Sequence, residues 1–269
     1  MNDDVTVLVS SCDKYEDAWV PFFKLFHIMG AESSTGNAVV LNTETKQFSC
    51  DYVNVRTINT PGKKTWSQRL YHVLNELNTD YVFHVLEDFF IQQPFNAEAF
   101  SNVMRYMRAH SDVGAMHLTP NGRFPKDATD MFLERKFNKL NITVTCVVWR
   151  RDFLMQILRK HENIWQFEWY STFRARKLFP DVKIMQYNEA YPIIFDYRVN
   201  VDEGYGITES KWLPKNKELF EKYGIEVDYD RLGWYVPHEK KSDPVTIKNL
   251  IPRGIKHIQT KISVYKSLH

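Results

Sequence analysis

The sequence predicts an α/β fold, a mainly parallel sheet covered by helices on both faces. Three observations carry that prediction. Strand-length apolar runs rich in β-branched residues recur along the first two-thirds of the chain, separated by segments with helical apolar spacing. The runs are near-continuous rather than alternating, as in strands buried on both faces. Two of them, Val5–Ser11 and Tyr81–Leu86, end in polar or acidic residues, which places chemistry at one edge of the sheet.

Val5–Ser11 opens the sheet, and a helix carrying Trp19, Phe22, Phe23 and Phe26 follows, with Pro21 tolerated in its first turns. Ala38–Leu41 is a second short strand, and between Thr57 and Lys64 the stretch Asn59-Thr-Pro-Gly-Lys-Lys64 is a turn. Thr65 and Gln68 form a capping box for a helix whose apolar face is Leu70, Val73, Leu74 and Leu77. Tyr81–Leu86 is the next buried strand. A helix with Phe100, Val103, Met104 and Met107 leads to the strand Val113–Leu118. Thr143–Trp149 is a further strand, and Asp152 is expected to cap the helix of Phe153, Leu154, Ile157 and Leu158. An aromatic-rich helix over Trp165–Lys177 and a strand near Val182–Tyr187 complete the alternation. No repeat or low-complexity tract interrupts the chain, so one domain is expected over residues 1–240, with a C-terminal helical extension over 241–269.

A composition of 43% hydrophobic residues supports a sizeable core, and a net charge of +2 gives no electrostatic reason to expect nucleic-acid binding. Cys12, Cys50 and Cys146 are odd in number and scattered, which reads as reduced thiols in a cytoplasmic protein. No signal peptide is legible at the start, and no apolar run approaches the roughly 18–20 residues that span a bilayer. Phosphate-loop, dinucleotide-fingerprint, nucleophile-elbow and zinc-protease motifs are all missing from the sequence. The commonest ATPase, dehydrogenase, hydrolase and metalloprotease classes fall away with them.

The acidic pair Glu87-Asp88 ends a buried strand, where a divalent ion held by one or two carboxylates can bridge a diphosphate. Ser11, Cys12, Asp13, Lys14 and Tyr15 end the first strand at the same edge. There Asp13 can accept from a base imide or a ribose hydroxyl, and Tyr15 can stack on a base. Arg69 lies on the polar side of the capped helix, within reach of ribose or phosphate. Glu168, flanked by Trp165, Phe167, Trp169 and Tyr170, is the candidate general base, since partial desolvation raises a carboxyl pKa toward a useful value. Its aromatic neighbours offer a platform for a sugar. His117 and His238 are weaker candidates for a third metal ligand, and Asp202–Gly206 for a loop that closes over the site.

The ordered strings Ser11-Cys-Asp-Lys-Tyr-Glu-Asp17, Trp66-Ser-Gln-Arg-Leu70, Leu86-Glu-Asp-Phe-Phe90, Val147-Val-Trp-Arg-Arg-Asp152 and Ile164-Trp-Gln-Phe-Glu168 resemble bacterial GT-A glycosyltransferases of surface-polysaccharide biosynthesis. The resemblance covers roughly Val5 to Lys177. It implies a Rossmann-like GT-A domain that moves a sugar from a nucleotide-sugar, a UDP-sugar foremost, to a glycan or lipid-linked glycan acceptor, with inversion. It further implies nucleotide contacts from Ser11, Asp13, Tyr15, Trp66, Arg69 and Glu87, metal binding by Asp88 (Mn²⁺ or Mg²⁺), catalysis by Glu168, and acceptor binding by Trp165 and Trp169. Leu86-Glu87-Asp88 departs from the family's Asp-x-Asp, which leaves metal-bound and metal-independent diphosphate sites both open.

Residues 241–269 carry Lys248, Arg253, Lys256, Lys261 and Lys266 among Ile247, Leu250, Ile251, Ile255, Ile258 and Ile262. Such a segment suits either an anionic membrane surface, on the inner face of the plasma membrane, or docking onto the domain. Two rival functions stand beside the transferase. A nucleotidyltransferase acting on sugar phosphates would bring a Gly-rich, basic loop after the first strand. A catalytically silent glycan-binding or membrane-scaffold protein would keep the fold without turnover.

Overall fold

The structure, a computed structural model, describes residues 4–36, 38–119, 128–135, 142–197 and 206–237. The expectations for His238, for residues 202–205 and for the extension over 241–269 lie outside the described residues. Among those described, no helix is long and apolar enough to cross a membrane.

The parallel half of the sheet comes from β1 (Val5–Ser10), β2 (Ala38–Thr43), β3 (Val55–Asn59) and β4 (Tyr81–Leu86). β1 pairs in parallel with both β2 and β4, and β2 pairs in parallel with β3. Beyond β4 lie β5 (Val113–His117), β6 (Phe132–Glu134), β7 (Val147–Arg150) and β8 (Lys183–Tyr187), giving the order β3-β2-β1-β4-β7-β5-β8-β6. β7 runs antiparallel between β4 and β5, and β6 antiparallel against β8, so six of the eight strands share one direction. The mainly parallel α/β prediction holds. From β1 the chain builds outward through β2 and β3 on one side and β4 on the other, which makes the carboxyl end of β1 a switch point.

Side-chain parity sorts the strands between two helical layers. Val5, Val7 and Val9 of β1 and Tyr81, Phe83 and Val85 of β4 join one core. That core holds Phe22, Phe23 and Phe26 of α1 (Trp19–Ile28), Ala31 of α2 (Ala31–Thr35) and Phe100, Val103 and Met104 of α4 (Ala97–Ala109). Leu8 and Val82 face the opposite core. This second core is closed by α3 (Trp66–Asn75), α5 (Arg151–Ile157) and α6 (Ile164–Leu178). Thr65 and Gln68 make the expected capping box on α3, and Asn163 and Gln166 make a second one on α6.

Two local readings are corrected. The strand expected over Thr143–Trp149 begins only at Val147, because residues 142–146 leave the ladder and Cys146 has φ 46°. Asp152 does not cap α5: the helix starts at Arg151 with no side-chain cap, and Asp152 lies inside its first turn.

Inside the second layer, Arg174 of α6 and Glu162 form a two-pronged ion pair, both side chains 0% exposed. Arg174 Nε also donates to the Ile157 carbonyl at 2.9 Å. The Glu162 carbonyl in turn accepts from Ser67 N at 3.3 Å, which docks the start of α3 against the α5–α6 turn.

A two-stranded hairpin of β9 (Ile207–Thr208) and β10 (Lys211–Trp212) precedes α7 (Asn216–Lys222). Its turn residues Glu209 and Ser210 have φ of 50° and 63°, a conformation that glycine or asparagine usually supplies. Gly206, at its base, donates to the Asp88 carbonyl at 3.1 Å. A Cβ at Gly206 would run into the Phe90 ring and would meet the Asp88 carbonyl at 2.6 Å. Gly206→Ala is therefore expected to destabilise the protein by about 1–3 kcal/mol through overpacking. A urea midpoint indistinguishable from wild type would show that the hairpin can move aside.

Candidate functional site

The carboxyl ends of β1, β2 and β4 converge on one crevice. Ser10 pairs with Asn42 and with Leu86, so the residues after each strand are brought side by side. Asp13 turns toward the β2–β3 connection. Its carboxylate accepts from Glu44 N at 3.0 Å, from Thr45 N at 3.1 Å and from Lys46 N at 3.3 Å, and also from the Thr45 hydroxyl. These bonds hold its carboxyl below the usual carboxylate range against the upward push of partial burial. Glu44 is thereby fixed at the crevice, where Arg69 Nη1 pairs with it at 2.9 Å.

Glu87 is buried, 8% exposed, with Asp88, Arg69 and Glu44 as its charged neighbours. Burial first, then repulsion from Asp88 and Glu44, pushes its carboxyl well above the usual range, with Arg69 opposing. Burial pushes Asp88 up to about 7, although the Ile207 amide donates to its Oδ2 at 3.2 Å. The Cys12 thiol is likewise raised to about 11, by burial and then by the charges of Glu87 and Glu44. Burial is the main cause at all three groups, and repulsion from neighbouring carboxyls adds to it at Glu87 and Cys12. Among the described residues, Trp66 Nε1 and Arg69 Nε are buried without hydrogen-bond partners. Each can donate one further hydrogen bond to an oxygen acceptor.

The β9–β10 hairpin is tied to both sides of this crevice. Besides its bonds to Asp88, its Ser210 hydroxyl lies 2.6 Å from Lys14 Nζ and 3.1 Å from the Tyr15 hydroxyl. Ser11 is engaged from the other direction, its hydroxyl accepting from Trp19 Nε1 at 2.7 Å.

Two adjacent carboxyls offer hard oxygen donors of the kind that a Mg²⁺- or Mn²⁺-class ion takes. Among the described residues no group of three His, Cys, Asp or Glu side chains gathers to hold a metal. His117 does not join Asp88; it is buried on β5 with Nδ1 3.3 Å from the Thr143 hydroxyl.

Glu168 lies on the α6 side. Val144 N donates to its Oε1 at 2.8 Å, and burial raises its pKa while Val144 and the charge of Arg135 oppose the rise. Along the same helix Trp165, Trp169 and Phe173 stand 75%, 37% and 40% exposed at intervals of four residues, one side of an α-helix. Trp66 packs between the two regions, its ring centroid 5.3 Å from Phe167 and 6.1 Å from His84.

The structure thus brings Asp13, Arg69, Glu87 and Asp88 to one place and puts Glu168, Trp165 and Trp169 on the neighbouring helix. Sequence reasoning missed Glu44, Phe173 and His84. Phe173 was findable by extending the Trp165–Trp169 spacing one step. Another groove, of about 440 Å³, is lined by Gln93, Pro94, Asn96, Pro192, Ile193 and Asp196, with no basic or aromatic side chain to take a nucleotide.

The strand order, the switch point at β1 and the three-layer packing define the GT-A, Rossmann-like class of fold. The chain is similar to residues 1–349 of TarS from S. aureus, with a TM-score of 0.50 and 10% identity, covering 97% of this chain and 80% of that one. Weaker likenesses include the catalytic domain of Drosophila beta1,4galactosyltransferase 7 in complex with xylobiose, at TM-score 0.45 and 11% identity, over 80% of this chain and 78% of that one. Glucosyl-3-phosphoglycerate synthase from Mycobacterium tuberculosis gives 0.43 and 10%, over 84% and 81%. No family model and no curated protein matches the chain. At such identities the likeness to TarS bears on the fold alone.

Proposed function

We propose that the chain is a glycosyltransferase that moves a sugar from a nucleotide-sugar donor, a UDP-sugar foremost, to a glycan or lipid-linked glycan with inversion. The observation that carries this reading is the pairing of the acidic crevice at the switch point with a half-buried carboxylate among exposed aromatics on the adjacent helix. In this reading the Ser11–Tyr15 turn, Trp66 and Arg69 hold the nucleotide, and Asp13 shapes the wall by fixing Glu44. Asp88, with Glu87, would hold a divalent ion, which when bound supplies positive charge to the departing diphosphate. Glu168 takes the proton from the acceptor hydroxyl as its oxygen attacks the anomeric carbon, and the C–O bond to the diphosphate breaks. Trp165 and Trp169, extended by Phe173, offer apolar faces to acceptor sugars. The nucleotidyltransferase reading wants a glycine-rich basic loop after β1; Ser11–Tyr15 contains one lysine and no glycine.

Calorimetry across UDP, GDP and CMP, with and without Mn²⁺, tests the donor half. At least one nucleotide is expected to bind, and binding of none would remove the proposal. The raised carboxyls set a pH dependence, because a metal must displace their protons. With Asp88 titrating at about 7, Mn²⁺ affinity is expected to rise between pH 6 and 8 and to be lost in Asp88→Asn. Equal Mn²⁺ affinity in that variant would place the metal elsewhere. Trp165→Ala is expected to raise the acceptor KM with donor KM unchanged; if acceptor KM does not move in steady-state kinetics, the aromatic stripe is not the acceptor platform.

A further inference from the structure

His84 is a polar residue inside a strand buried on both faces, 1% exposed. Burial without partners would be costly for an imidazole, and both of its nitrogens are engaged. Parity turns it toward the α3 and α6 layer, the side that Ser10 also faces. The register sets Leu8 opposite His84 and Ser10 opposite Leu86, which puts Ser10 and His84 on neighbouring strands two residues out of line. His84 Nε2 lies 2.7 Å from the Ser10 hydroxyl, and Nδ1 lies 3.2 Å from the Val144 carbonyl. A carbonyl can only accept, so Nδ1 carries the proton and Nε2 accepts from Ser10.

The far side of this contact is the candidate base. Residues 142–146 precede β7 and stand outside its ladder, and two side chains hold the Val144 backbone. Its carbonyl accepts from His84, and its N–H donates to Glu168 Oε1 at 2.8 Å. We propose that His84 is a positioning residue for Glu168, holding residue Val144 by its carbonyl so that the N–H on the other side of its Cα fixes the carboxylate for proton abstraction. The inference rests on reading Glu168 as the general base. It makes β4 the common ruler of the site, since the strand that ends in Glu87 and Asp88 also sets Glu168 through His84.

Two variants separate this role from a merely structural one. Asparagine at position 84 carries an amide N–H near the place of Nδ1 and keeps the Val144 bond. Glutamine reaches the place of Nε2, keeps Ser10 and loses Val144. His84→Asn is expected to retain kcat within about 3-fold, and His84→Gln to lose about 10-fold or more with donor KM unchanged, the scale of a misplaced catalytic group. The Glu168 carboxyl, followed by ¹³C NMR titration, is expected to titrate higher in His84→Gln and at its wild-type position in His84→Asn. Arg135, the other charge acting on Glu168, is present in both. A Glu168 titration that is the same in wild type, His84→Asn and His84→Gln would overturn the proposal, as would equal kcat losses in the two variants. The base reading fails separately, by a Glu168→Gln enzyme that transfers at the wild-type rate.

Discussion

Glu168→Gln is expected to lower sugar transfer by about 10²–10⁴-fold, the usual contribution of a positioned general base, while nucleotide binding stays at the wild-type level. The substitution keeps shape and the acceptor oxygen for Val144 N, so the fold has no reason to change. What disappears is the capacity to take a proton. Glu168 combines two features that suit it to the step: burial raises its pKa, and one backbone amide keeps it oriented. Because the base must be ionised, activity at saturating Mn²⁺ is expected to fall as pH drops through its pKa, and that limb should vanish in Glu168→Gln along with the bulk of turnover. A variant with full turnover would assign the proton to another group.

The second large effect is on stability. Removing Arg174 leaves Glu162 buried and unpaired, a situation that typically costs about 3–5 kcal/mol. Arg174→Leu is expected to lose that much by chemical denaturation. The double variant Arg174→Leu/Glu162→Leu should recover part of the loss, since an apolar pair in a dry site removes the stranded charge. If single and double variants lose equal stability, the guanidinium acts through packing rather than by neutralising Glu162. The consequence reaches the site, because the Glu162 carbonyl holds Ser67, one residue from Trp66 and two from Arg69. Nucleotide affinity is accordingly expected to weaken in the single variant.

Stability should also record His84. Burial lowers its pKa to about 4, from an ordinary value near 6.5. The unfolded chain binds the proton first, so the stability that neutral His84 contributes is present above about 6.5 and lost as pH falls toward 4. Urea midpoints between pH 4 and 7 are expected to fall more steeply in wild type than in His84→Asn. Parallel curves would mean that the imidazole is not held neutral.

Much of the scaffold was legible because local and long-range signals agreed. β1 and β4 are mostly apolar and buried along nearly their whole length, and α3 carries both its cap and its apolar face in a few residues. The missed elements are those whose stability comes from neighbours. β3 is half exposed, and β6 is a three-residue edge strand defined by its pairing with β8. Nor could the direction of β7 be read, since a buried apolar run looks the same parallel or antiparallel. Within the site, Asp88, Arg69 and Glu168 stood out by position relative to their elements. Glu44 sits in an ordinary polar loop, and only the parallel register of β1 and β2 brings it to Asp13 and Arg69. His84 left a faint signal, one polar residue in an otherwise apolar strand, whose meaning depends on Ser10 and Val144.

The central claim is that the switch-point crevice is the donor site. A crystal structure with a bound nucleoside diphosphate and Mn²⁺ tests it most directly. The nucleotide is expected between the Ser11–Tyr15 turn, Trp66 and Arg69, with its diphosphate at Asp88 and the Arg69 guanidinium turned from Glu44 toward it. A nucleotide seated instead in the Gln93–Asp196 groove, or away from Asp88 altogether, would contradict the account.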